Sequence, residues 1–176
     1  MANTRQRELK RSDLSPLKTQ KGNKESPMAY ALRLLGRRSY SVSQLEEKLC
    51  LRYTNAEVTE VLSGLLSKHY LDDQQLAKDR ALAGRTRKRW GNMRIRRDLM
   101  RQGISAKIVV QTIDQLEQLY PQSETLKITV HTWVDKHGKP SEVREIKKLY
   151  DHCYRMGFPG DEIRILLDCF WDGLDS

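Results

Sequence analysis

The sequence predicts an all-helical chain made of three tandem three-helix repeats, nine helices in all. Three observations predict it. From Pro27 onward, apolar residues recur at helical spacing. One apolar register occurs three times along the chain. And 176 residues with 38% hydrophobic and 31% charged side chains must collect buried surface in small units that lean on one another.

Residues 1–25 stand apart: they carry seven basic and three acidic side chains, with only Leu9, Leu14 and Leu17 as large apolars. Pro16, Gly22 and Asn23 break any period, so the segment reads as a disordered basic tail, either a weak phosphate attractant or a solubilising leader. Ser26-Pro27 supplies a cap and a first-turn proline for a helix over 27–36, with Met28, Ala31, Leu32 and Leu35 on one face and Gly36 at its end. Ser41 with Gln44 reads as a capping box for a second helix carrying Leu45 and Leu49. Thr54 with Glu57 reads as another, opening a third helix with Val58, Val61, Leu62 and Leu65.

The same pattern returns twice. Tyr53, Val58, Leu62 and Leu65 share their spacing with Ile104, Val109, Ile113 and Leu116, and with Phe158, Ile163, Leu167 and Phe170. The anchors Tyr53, Ile104 and Phe158 are 51 and 54 residues apart. An apolar pair precedes each anchor: Leu45/Leu49, Ile95/Leu99 and Leu149/Cys153. Gly103 and Gly157 follow the second and third pairs, where glycine can close a helix; the first repeat lacks that glycine, so its turn must close differently. Leading helices fall at roughly 73–88 and roughly 123–137, the latter rich in β-branched residues. The repeats are then 26–70, 71–120 and 121–176.

Specific residues within these repeats resemble the RecX family. They are Arg37-Arg38-Ser39-Tyr40-Ser41 followed by Leu45 and Lys48-Leu49; Tyr70-Leu71-Asp72-Asp73 followed by Leu76-Ala77; and Gly91-Asn92-Met93-Arg94-Ile95 followed by Leu99 and Gly103-Ile104. The resemblance covers roughly residues 28–172. Gln44 stands where members often carry glutamate, and Asn92 where they often carry proline; both fall at caps and turns. The resemblance implies an elongated, curved array that binds along the groove of a RecA–DNA filament across neighbouring protomers. It implies opposition to filament growth and damping of ATP hydrolysis, strand exchange and coprotease activity, and hence of recombination and the SOS response.

Formal charge is +9, which favours polyanionic partners. The densest signal is residues 80–101, where Arg80, Arg85, Arg87, Lys88, Arg89, Arg94, Arg96, Arg97 and Arg101 surround a single acid, Asp98. Arg94, Arg97 and Arg101 share about 60° of a helical wheel, away from Ile95 and Leu99. The candidate filament- or DNA-binding residues are therefore Arg85, Arg87, Lys88, Arg89, Arg94, Arg97 and Arg101; the alternative is a solvated helix face. Arginine suits phosphates and carboxylates because its planar fork makes paired hydrogen bonds. Trp90 reads as packing at a helix end. Tyr70, Leu71, Asp72 and Asp73 mark the junction of repeats one and two, as a helix cap setting the inter-repeat angle or as an acidic contact. The acidic end, with Asp172 and Asp175, reads as solvated.

Catalysis finds no support. There is no Gly-rich phosphate loop. His131 and His137 are six apart, and His152-Cys153 with Cys169 lacks a fourth zinc ligand. No cofactor, metal or catalytic residue is expected, and the chain reads as a non-enzyme. Cys50, Cys153 and Cys169 read as reduced thiols in the cytosol, and no apolar stretch approaches the ~20 residues of a membrane span. The expectation is a cytoplasmic monomer that meets a RecA filament and, weakly and without sequence preference, single- or double-stranded DNA. A DNA-binding protein in its own right and a generic helical-repeat adaptor are the alternatives.

Overall fold

The structure, a computed structural model, describes the backbone of residues 25–172 and the side chains of residues 25–168. The expected tail up to residue 24, and the side chains of Cys169, Phe170, Asp172 and Asp175, lie outside the described residues. Among those described there are nine helices and no strand: α1 (Pro27–Leu35), α2 (Val42–Cys50), α3 (Asn55–Ser67), α4 (Asp73–Thr86), α5 (Asn92–Arg101), α6 (Ala106–Leu119), α7 (Gln122–His137), α8 (Val143–Met156) and α9 (Gly160–Asp172).

The apolar register read from the sequence becomes three separate cores. The first holds Ala31, Leu45, Leu49, Val58, Leu62 and Leu65 and extends to Leu71. The second is built on Ala77, Ile95, Leu99, Ile104, Val109 and Ile113. The third is built on Leu126, Leu149, Cys153, Phe158, Ile163 and Leu167. Each large apolar side chain so buried stabilises its bundle by about 1.5–3 kcal/mol. The anchors Ile104 and Phe158 are buried, and Tyr53 packs half-buried against the first core, its hydroxyl donating to the carbonyl of Glu25 at 2.9 Å.

Local chemistry sets the helix ends. Thr54 and Glu57 form the reciprocal capping box expected of them. Ser41 does only half of this: it accepts the Gln44 amide at 3.1 Å, while the Gln44 side chain reaches to Gln102 instead. Helix α7 tolerates its threonines because Thr125, Thr129 and Thr132 return their hydroxyls to the carbonyl four residues back. After α5 and α8, Gly103 (φ 77°) and Gly157 (φ 93°) take the left-handed conformation, and the next amide returns to Leu99 or Cys153. The first repeat, without glycine, closes by dropping the Arg52 and Tyr53 amides onto the Leu49 carbonyl at 2.9 and 3.0 Å.

The second helix of each bundle ties the row together. The N-terminus of α2 meets the C-terminal turn of α5, where the Ser41 hydroxyl donates to the Gln102 carbonyl. The N-terminus of α5 meets the C-terminal turn of α8: the Gly91 amide donates to Met156 O at 2.9 Å and the Met93 amide to Gly157 O at 3.1 Å. At both joints the amide-rich end of one helix faces the carbonyl-rich end of the next, so their dipoles align head to tail. Contact is backbone-close. A Cβ on Gly91 would lie 2.2 Å from the Gly157 oxygen, and one on Gly103 would lie 2.7 Å from Ser43 Cβ.

Candidate binding surface of the middle bundle

The residues expected to meet a partner separate into two groups. Arg85 belongs inside, which corrects its assignment to the surface: it is 2% exposed. Its guanidinium donates to the Trp90 carbonyl at 3.0 Å, to the Asn92 side chain and to Glu117 at 3.1 Å. Burial pulls it below the usual arginine range, and Glu117 and Glu162 oppose that shift. The helical wheel could not place it, because α4 packs its C-terminal turn against both α6 and the second joint.

Arg94 and Arg89 also turn toward the joint. Arg94 lies over the Trp90 ring at 4.6 Å and donates to the Arg155 carbonyl at 3.2 Å. Arg89, held at φ 55°, donates to Thr132 at 2.6 Å. Arg101 is exposed but shares Asp98 with Arg80; both distances to that carboxylate are 2.9 Å. Burial would raise the Asp98 carboxyl, but hydrogen bonds from Arg101 and Arg80 hold it below the usual aspartate range. What stands outward is Arg87 at the end of α4, Arg96 and Arg97 on α5, and Lys88, whose ammonium lies 4.4 Å from the Trp90 ring centroid. Arg94 thus leaves the set it was grouped with, and Arg96 joins it.

Sequence reasoning missed the network behind this surface. Gln122 accepts the Asn92 amide at 3.1 Å and donates to Glu162 at 2.7 Å, while Glu117 accepts from Asn92, Arg85 and the Gln122 amide. Burial raises Glu162 against the pull of that Gln122 hydrogen bond. A proline at position 92 could not donate to Gln122, so Asn92 is the signal that could have pointed there.

At the first junction the four residues act separately. Asp72 caps α4, accepting the Gln74 and Gln75 amides at 2.9 Å. Asp73 accepts the Val42 amide at 2.9 Å and so holds the start of α2. Burial raises the Asp73 carboxyl against that hydrogen bond. Leu71 is buried in the first core, and Tyr70 is 59% exposed. Trp90 and Trp133 pack partly buried against the second and third cores. Among the described residues no group of three or more His, Cys, Asp or Glu is placed to hold a metal ion, and no helix is long and apolar enough to cross a membrane.

Fold and surface together define a tandem array of three-helix bundles whose middle member turns guanidinium groups outward. Residues 28–65 match the family described as RecX, first three-helix domain. A regulatory protein RecX of Acidithiobacillus ferrooxidans is 32% identical over 147 residues, covering 82% of this chain and 90% of that protein. The chain belongs to the RecX family. A regulatory protein RecX of Thermus thermophilus is 35% identical over 88 residues, which span 50% of this chain and 61% of that relative's length. The crystal structure of RecX from Lactobacillus salivarius superposes with a TM-score of 0.70 at 17% identity, covering 81% of this chain and 92% of that one, and so shares the fold.

Proposed function

We propose that this chain is a non-catalytic cytoplasmic regulator that binds the RecA–DNA filament as a monomer and inhibits its ATPase, strand-exchange and coprotease activities. The repeats 26–70, 71–120 and 121–176 act as three modules of one binding array. The observation that carries the reading is the outward set Arg87, Arg96 and Arg97, on a bundle whose remaining arginines are held by its own joints and by Asp98. A recombinase–DNA filament offers both carboxylates and phosphates to such a set. Membership of a family whose curated relatives are named regulatory proteins supports the regulator role.

The test is a titration of the chain into a recombinase ATPase assay on single-stranded DNA. Wild type inhibits. Arg87→Glu/Arg96→Glu/Arg97→Glu keeps its helical circular dichroism and requires roughly 10–100-fold more protein, because three rim charges have been reversed. Equal inhibition by this variant removes the surface from the mechanism, and no inhibition by wild type removes the target. The same exposed guanidinium groups favour a second reading, weak binding to bare nucleic acid. Three phosphate contacts would give a log–log salt slope of about −2 on single strands and about −3 on duplex.

A further inference from the structure

A cleft of about 750 Å³ separates the first bundle from the second. Two turns that occupy the same place in their repeats line it, each just before the cap of the second helix. Both carry a cation two residues ahead of an aromatic ring: Arg38 lies over Tyr40 at 3.9 Å, and Lys88 lies over Trp90 at 4.4 Å. The third repeat has Lys139 and Ser141 at these places, so the pairing belongs to the two turns that line the cleft. Tyr70, 59% exposed, lines the same cleft.

The charges of the cleft favour one kind of occupant. Asp72, Asp79 and Asp98 line it, but Asp98 is held by Arg80 and Arg101, Asp72 by two α4 amides, and Asp79 accepts from Gln75. Among the described residues, neither Arg38 nor Lys88 has a carboxylate partner. A phosphate chain laid along the cleft would run past three carboxylates. Stacked bases would have to displace cations already seated on Tyr40 and Trp90, and Trp90 carries Arg94 as well. A single carboxylate flanked by apolar side chains brings one negative charge rather than a chain of them, so it can pair with Arg38 or Lys88 away from the lining carboxylates, with its neighbours against Tyr70, Leu32 and Leu76. Tyrosine, tryptophan and arginine around a recess are also the residues that anchor protein interfaces.

We propose that the cleft between the first and second bundles is a docking site for a short protein segment bearing an acidic residue next to apolar ones, gripped by Arg38 and Lys88. The site takes Lys88 from the outward-standing cations but is not lined by Arg87, Arg96 or Arg97, and it does not depend on the recombinase being the target.

The test uses the full chain, immobilised, and a random phage-displayed peptide library. Selected peptides are expected to carry Asp or Glu beside Leu, Ile or Phe. Arg38→Glu/Lys88→Glu binds them at least about tenfold more weakly, as does Tyr70→Ala, while Arg87→Glu/Arg96→Glu/Arg97→Glu binds them like wild type. Tyr70→Ala removes an exposed ring, so it keeps the test decisive should the double reversal disturb the turns. Three results overturn the proposal: no enrichment, enrichment of basic or uncharged peptides, or peptides that bind both cleft variants as tightly as wild type. Weakened binding of an oligothymidylate to Arg38→Glu/Lys88→Glu, with peptide binding unchanged, assigns the cleft to nucleic acid instead.

Discussion

Replacing Gly91 with alanine isolates the joint between the second and third bundles. The backbone at Gly91 (φ −74°, ψ 167°) suits alanine, so the local conformation adds little cost, and the unfolded chain loses about 0.4–1 kcal/mol of freedom in alanine's favour. The contact decides the outcome. The new methyl carbon would lie 2.2 Å from Gly157 O, 2.4 Å from Gly157 C and 2.7 Å from Phe158 N, all backbone atoms with no flexible tip to move aside. Relief requires α5 to draw back from the α8 turn, which breaks the Gly91 and Met93 hydrogen bonds, worth about 0.5–1.5 kcal/mol each. If instead the chains stay put, overpacking costs about 1–3 kcal/mol. The net expectation is a loss of up to about 2.5 kcal/mol, seen as a lower urea midpoint by far-ultraviolet circular dichroism. Hydrogen exchange supplies the local signature: the Met93 amide loses protection, while Leu62 and Leu65 in the first core keep theirs. Unchanged stability with a protected Met93 amide would refute the backbone-to-backbone joint.

Arg85→Ala leaves the Trp90 carbonyl without its buried donor, while half-exposed Glu117 keeps the Asn92 and Gln122 donors, so it should cost about 1–3 kcal/mol in urea unfolding yet leave partner binding intact wherever the chain is folded. Asp98 has a depressed folded pKa, so its contribution is full above the ordinary aspartate value and is lost as pH falls through the folded value; Asp98→Asn should flatten acid unfolding in that window and cost about 1.5–3 kcal/mol at neutral pH. Burial pushes the Cys153 thiol up to about 12, so iodoacetamide should label exposed Cys50 in native protein and reach Cys153 only on unfolding, as peptide mass spectrometry would show.

Much of the fold was legible because a bundle's core depends on period alone. Leu45, Leu49, Val58, Leu62 and Leu65 declare one face at helical spacing, and that face is the first core. The charged residues were less legible, because identity and spacing along one helix do not say what stands opposite. Arg85 carries the same side chain as Arg87 two positions on, but a neighbouring helix covers one and solvent meets the other. Arg94 shares a wheel face with Arg97, yet α8 ends beside it. Gln44 and Asn92 departed from the family's habit at two caps, and each departure feeds a joint: Gln44 bonds to Gln102, and Asn92 to Glu117 and Gln122. Polar oddities at caps therefore marked the joints, while apolar period marked the bundles. The cleft pairing was written as basic-x-aromatic before two equivalent caps, a signal that becomes meaningful only when the bundles face one another.

The proposed function requires the chain to prefer an assembled recombinase filament over bare nucleic acid. Equilibrium binding of the full chain to RecA filaments on single-stranded DNA, set beside the same DNA without recombinase at the same salt, tests it most directly. Binding to the filament is expected to be at least about tenfold tighter. Equal or tighter binding to the bare strand would contradict it.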